Sequence, residues 1–73
     1  MVQLEIEYQG TWKEVIRYDT SHGFAHVDRY NNRNEQKKES LDMTFQEALT
    51  FADADINENW EKYKNSFLKE LYP

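Results

Sequence analysis

Val2, Leu4, Ile6 and Tyr8 alternate with Gln3, Glu5 and Glu7. A period of two puts the first set on one face of a strand and the second in water. Gln9-Gly10 follows as a turn, because glycine accepts positive φ without a steric cost. Thr11 to Tyr18 is rich in β-branched and aromatic residues and predicts the second strand of a hairpin. A third strand is expected from about Gly23 to Tyr30, then a polar turn at Asn31-Asn32-Arg33-Asn34, where asparagine tolerates left-handed backbone. Glu35 to Leu41 reads as a charged fourth strand whose lysines and glutamates protect a sheet edge.

Beyond Met43 the period changes. Thr44 and Glu47 form a capping-box pattern, in which each side chain satisfies the other's backbone N–H. Phe45, Leu49, Ala52, Ile56, Trp60, Tyr63, Phe67 and Leu71 recur at steps of three and four, which predicts one apolar stripe on a helix. If continuous from Phe45 to Tyr72, that helix is about 42 Å long at 1.5 Å per residue. A seven-residue strand spans only about 23 Å. The C-terminal turns are therefore expected to overhang the sheet, and a second copy of the chain is the simplest cover. The pattern predicts an α+β fold: a four-stranded antiparallel meander with one long C-terminal helix on one face, ββββα. Residues 1–43 would form the sheet and 44–72 the helix of a single domain spanning 1–73.

Composition narrows the chemistry. The 73 residues contain no cysteine, which excludes disulfide staples, thiolate metal sites and cysteine nucleophiles. Eleven aromatic residues are expected to supply much of the buried area. No run approaches the roughly 18 apolar residues of a membrane span, and no basic-apolar leader is visible, so the expectation is a cytoplasmic protein without a membrane partner. A net charge of -5 argues against general binding to nucleic-acid phosphates, although Arg29, Arg33, Lys37 and Lys38 make a local basic cluster.

Chemical groups crowd only in Arg17-Tyr-Asp-Thr-Ser-His-Gly-Phe-Ala-His-Val-Asp28. Which way they face depends on strand phase. On the second strand, alternation groups Trp12, Glu14, Ile16 and Tyr18 towards the helix, and Lys13, Val15, Arg17 and Asp19 away from it. On the third, Gly23, Ala25 and Val27 are small enough to let a helix approach. His22, Phe24, His26, Asp28 and Tyr30 then share the open face, together with Arg17 and Asp19. The competing phase buries Phe24 and drags both histidines into the core, since a one-residue slip flips every side chain. The open-face phase is the expectation, because two histidines and an aspartate in a thin core would each need partners.

Three chemistries follow. His26 with Asp28 is a candidate metal pair. His22 and His26, about 13 Å apart along a regular strand, share an ion only if Gly23 bends the chain. A histidine pair beside Arg17 and Asp19 suits metal-independent acid–base chemistry on RNA, with Tyr18, Phe24 and Tyr30 as stacking walls. Alternatively the residues are structural, with an Asx-type turn at Asp19 and an Arg17–Asp28 pair across the hairpin. Asp53-Ala-Asp-Ile-Asn57 looks like the start of a calcium loop. It lacks the following glycine and the closing glutamate and sits within the helical pattern, so it reads as a solvated helix face. No cofactor is implied.

The pattern Trp12…Arg17-Tyr-Asp-x-x-His22-Gly-Phe-x-His26-x-Asp28, followed by Ala48-Leu-Thr-Phe-Ala52…Asp55…Asn59-Trp60…Tyr63, resembles a family of small prokaryotic proteins known as a domain of unknown function. Arg17-Tyr18-Asp19 with His22 and His26 is also similar to the toxin subunits of TumE-type toxin–antitoxin systems. That similarity implies catalytic roles for Arg17, Asp19, His22 and His26. The expected function is a self-associating binding module, a homodimer through the C-terminal helix. Its ligand surface is expected at His22, Phe24, His26, Asp28 and Tyr30. A metal-independent ribonuclease is the alternative.

Overall fold

The computed structural model describes residues 1–20 and 24–72. Four strands, β1 (Val2–Tyr8), β2 (Thr11–Asp19), β3 (Ala25–Tyr30) and β4 (Gln36–Leu41), precede one helix, α1 (Phe45–Leu68). The strands pair antiparallel in the order β1-β2-β3-β4, and the helix packs on one face of the sheet, mainly over β1 and β2. The predicted ββββα meander is therefore the fold. Gln9 and Gly10 both have positive φ, 52° and 78°. Those values make the β1–β2 connection a two-residue type I′ turn, whose twist matches that of the strands. Asn31 organises the β3–β4 turn: its Oδ1 accepts from the backbone N–H of Arg33 at 3.0 Å and of Glu35 at 3.2 Å.

The β1–β2 ladder contains a break that alternation does not show. Leu4 pairs with Ile16 and Glu5 pairs with Glu14, so Val15 is an extra residue. This is a β-bulge. Val15 and Ile16 are both fully buried in the same core, with Ile6, Tyr18, Val27, Ala52, Tyr63 and Phe67. The phase of β2 is consequently inverted upstream of Val15. Lys13 pairs with Ile6 on the helix face, and Trp12 pairs with Glu7 on the opposite face. The expected grouping of Trp12 and Glu14 with Ile16 and Tyr18, and of Val15 with Arg17, is thus corrected.

The helix begins as predicted. Thr44 Oγ1 accepts from the Glu47 N–H at 3.2 Å, and a Glu47 carboxylate oxygen accepts from the Thr44 N–H at 3.0 Å. It ends earlier, at Leu68 rather than Tyr72. Glu70 adopts φ 63°, and the N–H groups of Glu70 and Leu71 bond back to the carbonyls of Phe67 and Ser66. That is a Schellman close with a glutamate in the position glycine usually takes. At 24 residues the helix is about 36 Å long.

The buried stripe differs from the expected one. Ala48, Ala52, Tyr63 and Phe67 are buried, while Phe45, Leu49 and Trp60 stay exposed. Two alanines let the backbone of α1 approach the sheet closely. Asp55 then accepts hydrogen bonds from the hydroxyls of Tyr18 on β2 and Tyr63 on α1, the latter at 2.6 Å, and from the Asn59 amide at 2.9 Å. These bonds turn the Asp55 side of the helix inwards and rotate the predicted stripe half out of contact. The Asp53–Asn57 run is accordingly not a uniformly solvated face. The overhang is not at the C-terminal turns either: Tyr63 and Phe67 are core, and Phe67 meets Tyr8 edge to face at 6.0 Å.

Candidate functional site

Register places the predicted groups on one face. Arg17 lies opposite Asp28 and Asp19 opposite His26 across β2–β3, and Lys38 and Ser40 continue these rows on β4. Val27 belongs to the core beneath the helix, so His26 and Asp28 occupy the far face, as the favoured phase requires. They are nevertheless not open. The His26 side chain is 7% exposed and that of Asp28 6%.

His26 Nε2 sits 4.0 Å from Asp19 Oδ2 and 3.9 Å from Asp28 Oδ2. Both distances are too long for hydrogen bonds and describe a charge environment. Arg17 donates to Asp19 Oδ2 at 3.1 Å and lies 4.0 Å from Glu14. Burial works against the charged Arg17 guanidinium, but the bond to Asp19 and the charges of Asp19 and Glu14 outweigh it and raise its pKa. Lys38 Nζ is 4.0 Å from Asp28 Oδ1. No ion pair forms between Arg17 and Asp28, although they face one another; Arg17 turns along its own strand instead. The result is a ribbon of alternating charge, Lys38, Asp28, His26, Asp19, Arg17, Glu14. At its far end Tyr30 is held by Glu14: burial, then the charge and hydrogen bond of Glu14, raise its phenol pKa.

Arg17 and Lys38 stand beside the two carboxylates that flank His26, so a divalent cation there would compete with both. Among the described residues, no group of three or more His, Asp or Glu side chains has metal-binding geometry. His26 Nδ1 and Asp28 Oδ1 are buried without a hydrogen-bond partner there, which costs about 1–3 kcal/mol for each such group. His22 lies outside the described residues, as does the Asx turn expected beyond Thr20. Phe24 is exposed and its ring centroid is 6.2 Å from that of His26.

The predicted basic cluster disperses. Arg29 projects to the helix side and pairs with Glu39 at 3.2 Å, Arg33 pairs with Glu35 and Glu70 at 3.4 Å, and Lys38 serves Asp28. Three of the four cations thus have an acidic neighbour, while Lys37 lies across the ladder from Arg29. A second polar cluster, unforeseen from the sequence, lies between helix and sheet around Asp55. Burial and the bond to Asp55 push the Tyr18 hydroxyl well above the ordinary tyrosine pKa and that of Tyr63 up to about 12.

A family model for a domain of unknown function, DUF7718, matches residues 1–72. The chain belongs to the DUF7718 family. Comparison with curated proteins and with solved structures finds no match. No described helix of this DUF7718 member is long and apolar enough to cross a membrane. The residues that sequence reasoning missed are Trp12 and Glu14, which the bulge delivers to the far face beside Tyr30. No sequence signal announced that inversion, because Val15 carries no glycine or proline as a marker.

Proposed function

We propose that this DUF7718 chain is a cytoplasmic prokaryotic binding module that self-associates through one flank of α1. The carrying observation is the composition of that flank. Leu49, Asp53, Ile56, Trp60 and Lys64 follow one another at steps of four, three, four and four residues, and so line one side of the helix. Leu49 and Trp60 are exposed after the helix has docked, with Trp60 at 45%. Large apolar side chains left in a row on a small charged protein mark an interaction surface.

The row is also self-complementary. Asp53 and Lys64 are both exposed and form no ion pair among the described residues. If a second α1 lies antiparallel on this flank, Asp53 of each copy meets Lys64 of the other, with Ile56 and Trp60 between them. The self-association therefore uses the middle of the helix and its exposed edge, not the C-terminal turns that the sequence suggested.

Sedimentation equilibrium tests the reading. The expected mass is that of two chains, and Trp60→Glu should give one. Asp53→Lys should weaken the pair, and adding Lys64→Asp should restore it. A mass of one chain for the unmodified protein at millimolar concentration, or no rescue by the charge swap, would overturn it. The ribonuclease alternative requires His26 within hydrogen-bond reach of a phosphate. A 7% exposed imidazole held between two carboxylates counts against that contact.

A further inference from the structure

Trp12 is the most exposed of the large apolar side chains, at 65%, and the bulge is the reason it is on the far face at all. Bulges re-aim side chains at the cost of a ladder position, and they concentrate beside binding sites. Here the re-aimed residue forms one wall of a cleft of about 180 Å³, lined by Trp12, Glu14, Tyr30, Asn31, Asn34 and Lys13. Tyr30 forms the other aromatic wall and is held in place by Glu14. Asn31, also in the lining, is buried and its side chain is committed to the β3–β4 turn.

The charge around the cleft is acidic in balance: Glu5, Glu7 and Glu14 against Lys13 and Arg17. Glu7 lies directly across the ladder from Trp12, and Glu5 lies across from Glu14. Like charges directly opposite one another on a sheet face destabilise it, so Glu5 and Glu14 repel unless a cation comes between them. Gln3 donates to Glu5 without neutralising it. Glu7 has no ion pair among the described residues. Of these three carboxylates, Arg17 approaches Glu14, at 4.0 Å, and Lys13 starts from the helix face by register but lines the cleft edge. Glu14 thus lines the cleft, Glu7 and Glu5 extend the acidic row beside it, and Lys13 and Arg17 are the two cations in reply.

We propose that this cleft binds a guanidinium side chain from a basic segment of a partner protein. A planar cation stacks on the face of Trp12, the aromatic ring most attractive to cations. Its edge donors reach Glu14 and Glu7, since a guanidinium presents several N–H groups in a fixed plane. Neighbouring basic residues of the segment then lie along Glu5 and Glu7. Arginine is favoured over lysine because it both stacks and donates in plane.

The probe is tetra-arginine peptide, titrated into the full chain at low salt while the indole N–H signals of Trp12 and Trp60 are followed by NMR. Saturable shifts confined to Trp12 are expected. Trp12→Ala should weaken binding at least tenfold, and Glu7→Gln with Glu14→Gln several-fold; tetra-lysine should bind several-fold more weakly than tetra-arginine. Equal binding by Trp12→Ala would overturn the cleft in favour of diffuse attraction to an acidic surface. No saturation at millimolar peptide would overturn the proposal outright. Thermal unfolding of each variant confirms the fold, and repeating the titration in Trp60→Glu separates this site from self-association, because the cleft should bind equally well in a single chain.

Discussion

Val15 and Ile16 are sequence neighbours on β2, yet both point into the same core. One belongs to the ladder and the other is the residue the bulge adds. The pair fixes which side of the sheet each upstream residue takes, and so ties the packing of the core to the position of Trp12 on the far face.

Size and stability should therefore be uncoupled on β2. Val15→Ala removes two buried methyl groups and is expected to cost about 2 kcal/mol in urea unfolding. Trp12→Ala removes a far larger side chain but should change stability by no more than about 0.5 kcal/mol. The reverse order would mean that alternation, without a bulge, describes β2.

Asp55 joins helix to sheet through two phenols, so its loss should be felt across the molecule. Asp55→Ala leaves the hydroxyls of Tyr18 and Tyr63 without an acceptor in a half-buried place, with an expected cost of about 2–4 kcal/mol. Tyr63→Phe removes one of those bonds and should cost about 1–2 kcal/mol. Equilibrium unfolding of the two variants and their double mutant checks this. The double should fall well short of the sum, because both changes remove the same bond.

The same phenols set an alkaline limit. Tyr18, Tyr30 and Tyr63 hold their protons more tightly folded than unfolded. Below the unfolded tyrosine value, about 10, the two states carry the same number of these protons, and the stabilisation is fully present. Above it the unfolded chain loses protons that the native chain keeps, so stability falls as pH rises from about 10 through the folded values, about 12 for Tyr63. Absorbance at 295 nm should show these three phenols ionising only as the fold opens. Complete tyrosine ionisation near pH 10 with the fold intact would contradict this.

Glu70 holds a left-handed backbone angle at the helix close. A side chain there costs on the order of 1 kcal/mol relative to glycine, whereas its exposed pair with Arg33 adds little. Glu70→Gly should raise the melting temperature by a few degrees. Thr44→Ala should lower it by a similar amount through loss of the cap at the other end.

Local chemistry was legible wherever one residue type announces its geometry. Gly10 marked the hairpin, Asn31 and Asn34 the second turn, and Thr44 with Glu47 the helix start. The bulge at Val15 and the helix close at Glu70 were not legible, since neither uses the glycine that normally signals such backbone. The helix stripe was misread because periodicity weighs Leu49 and Trp60 above Ala48 and Ala52. Packing favoured the small residues, and the phenols favoured Asp55. The face of His26 followed from Ala25 and Val27, but its burial did not, because that depends on Arg17, Asp19 and Asp28 closing around it.

The helix covers only one face of the sheet, and this has a consequence for valency. Two chains joined by the flanks of their helices would each keep a Trp12 face free, without competition. A basic partner with two well-spaced arginine segments would then be gripped twice. Its second contact would form at the effective concentration set by the intervening linker and not by the bulk solution. Individually weak clefts would in that arrangement hold one long ligand firmly, or bridge two short ones.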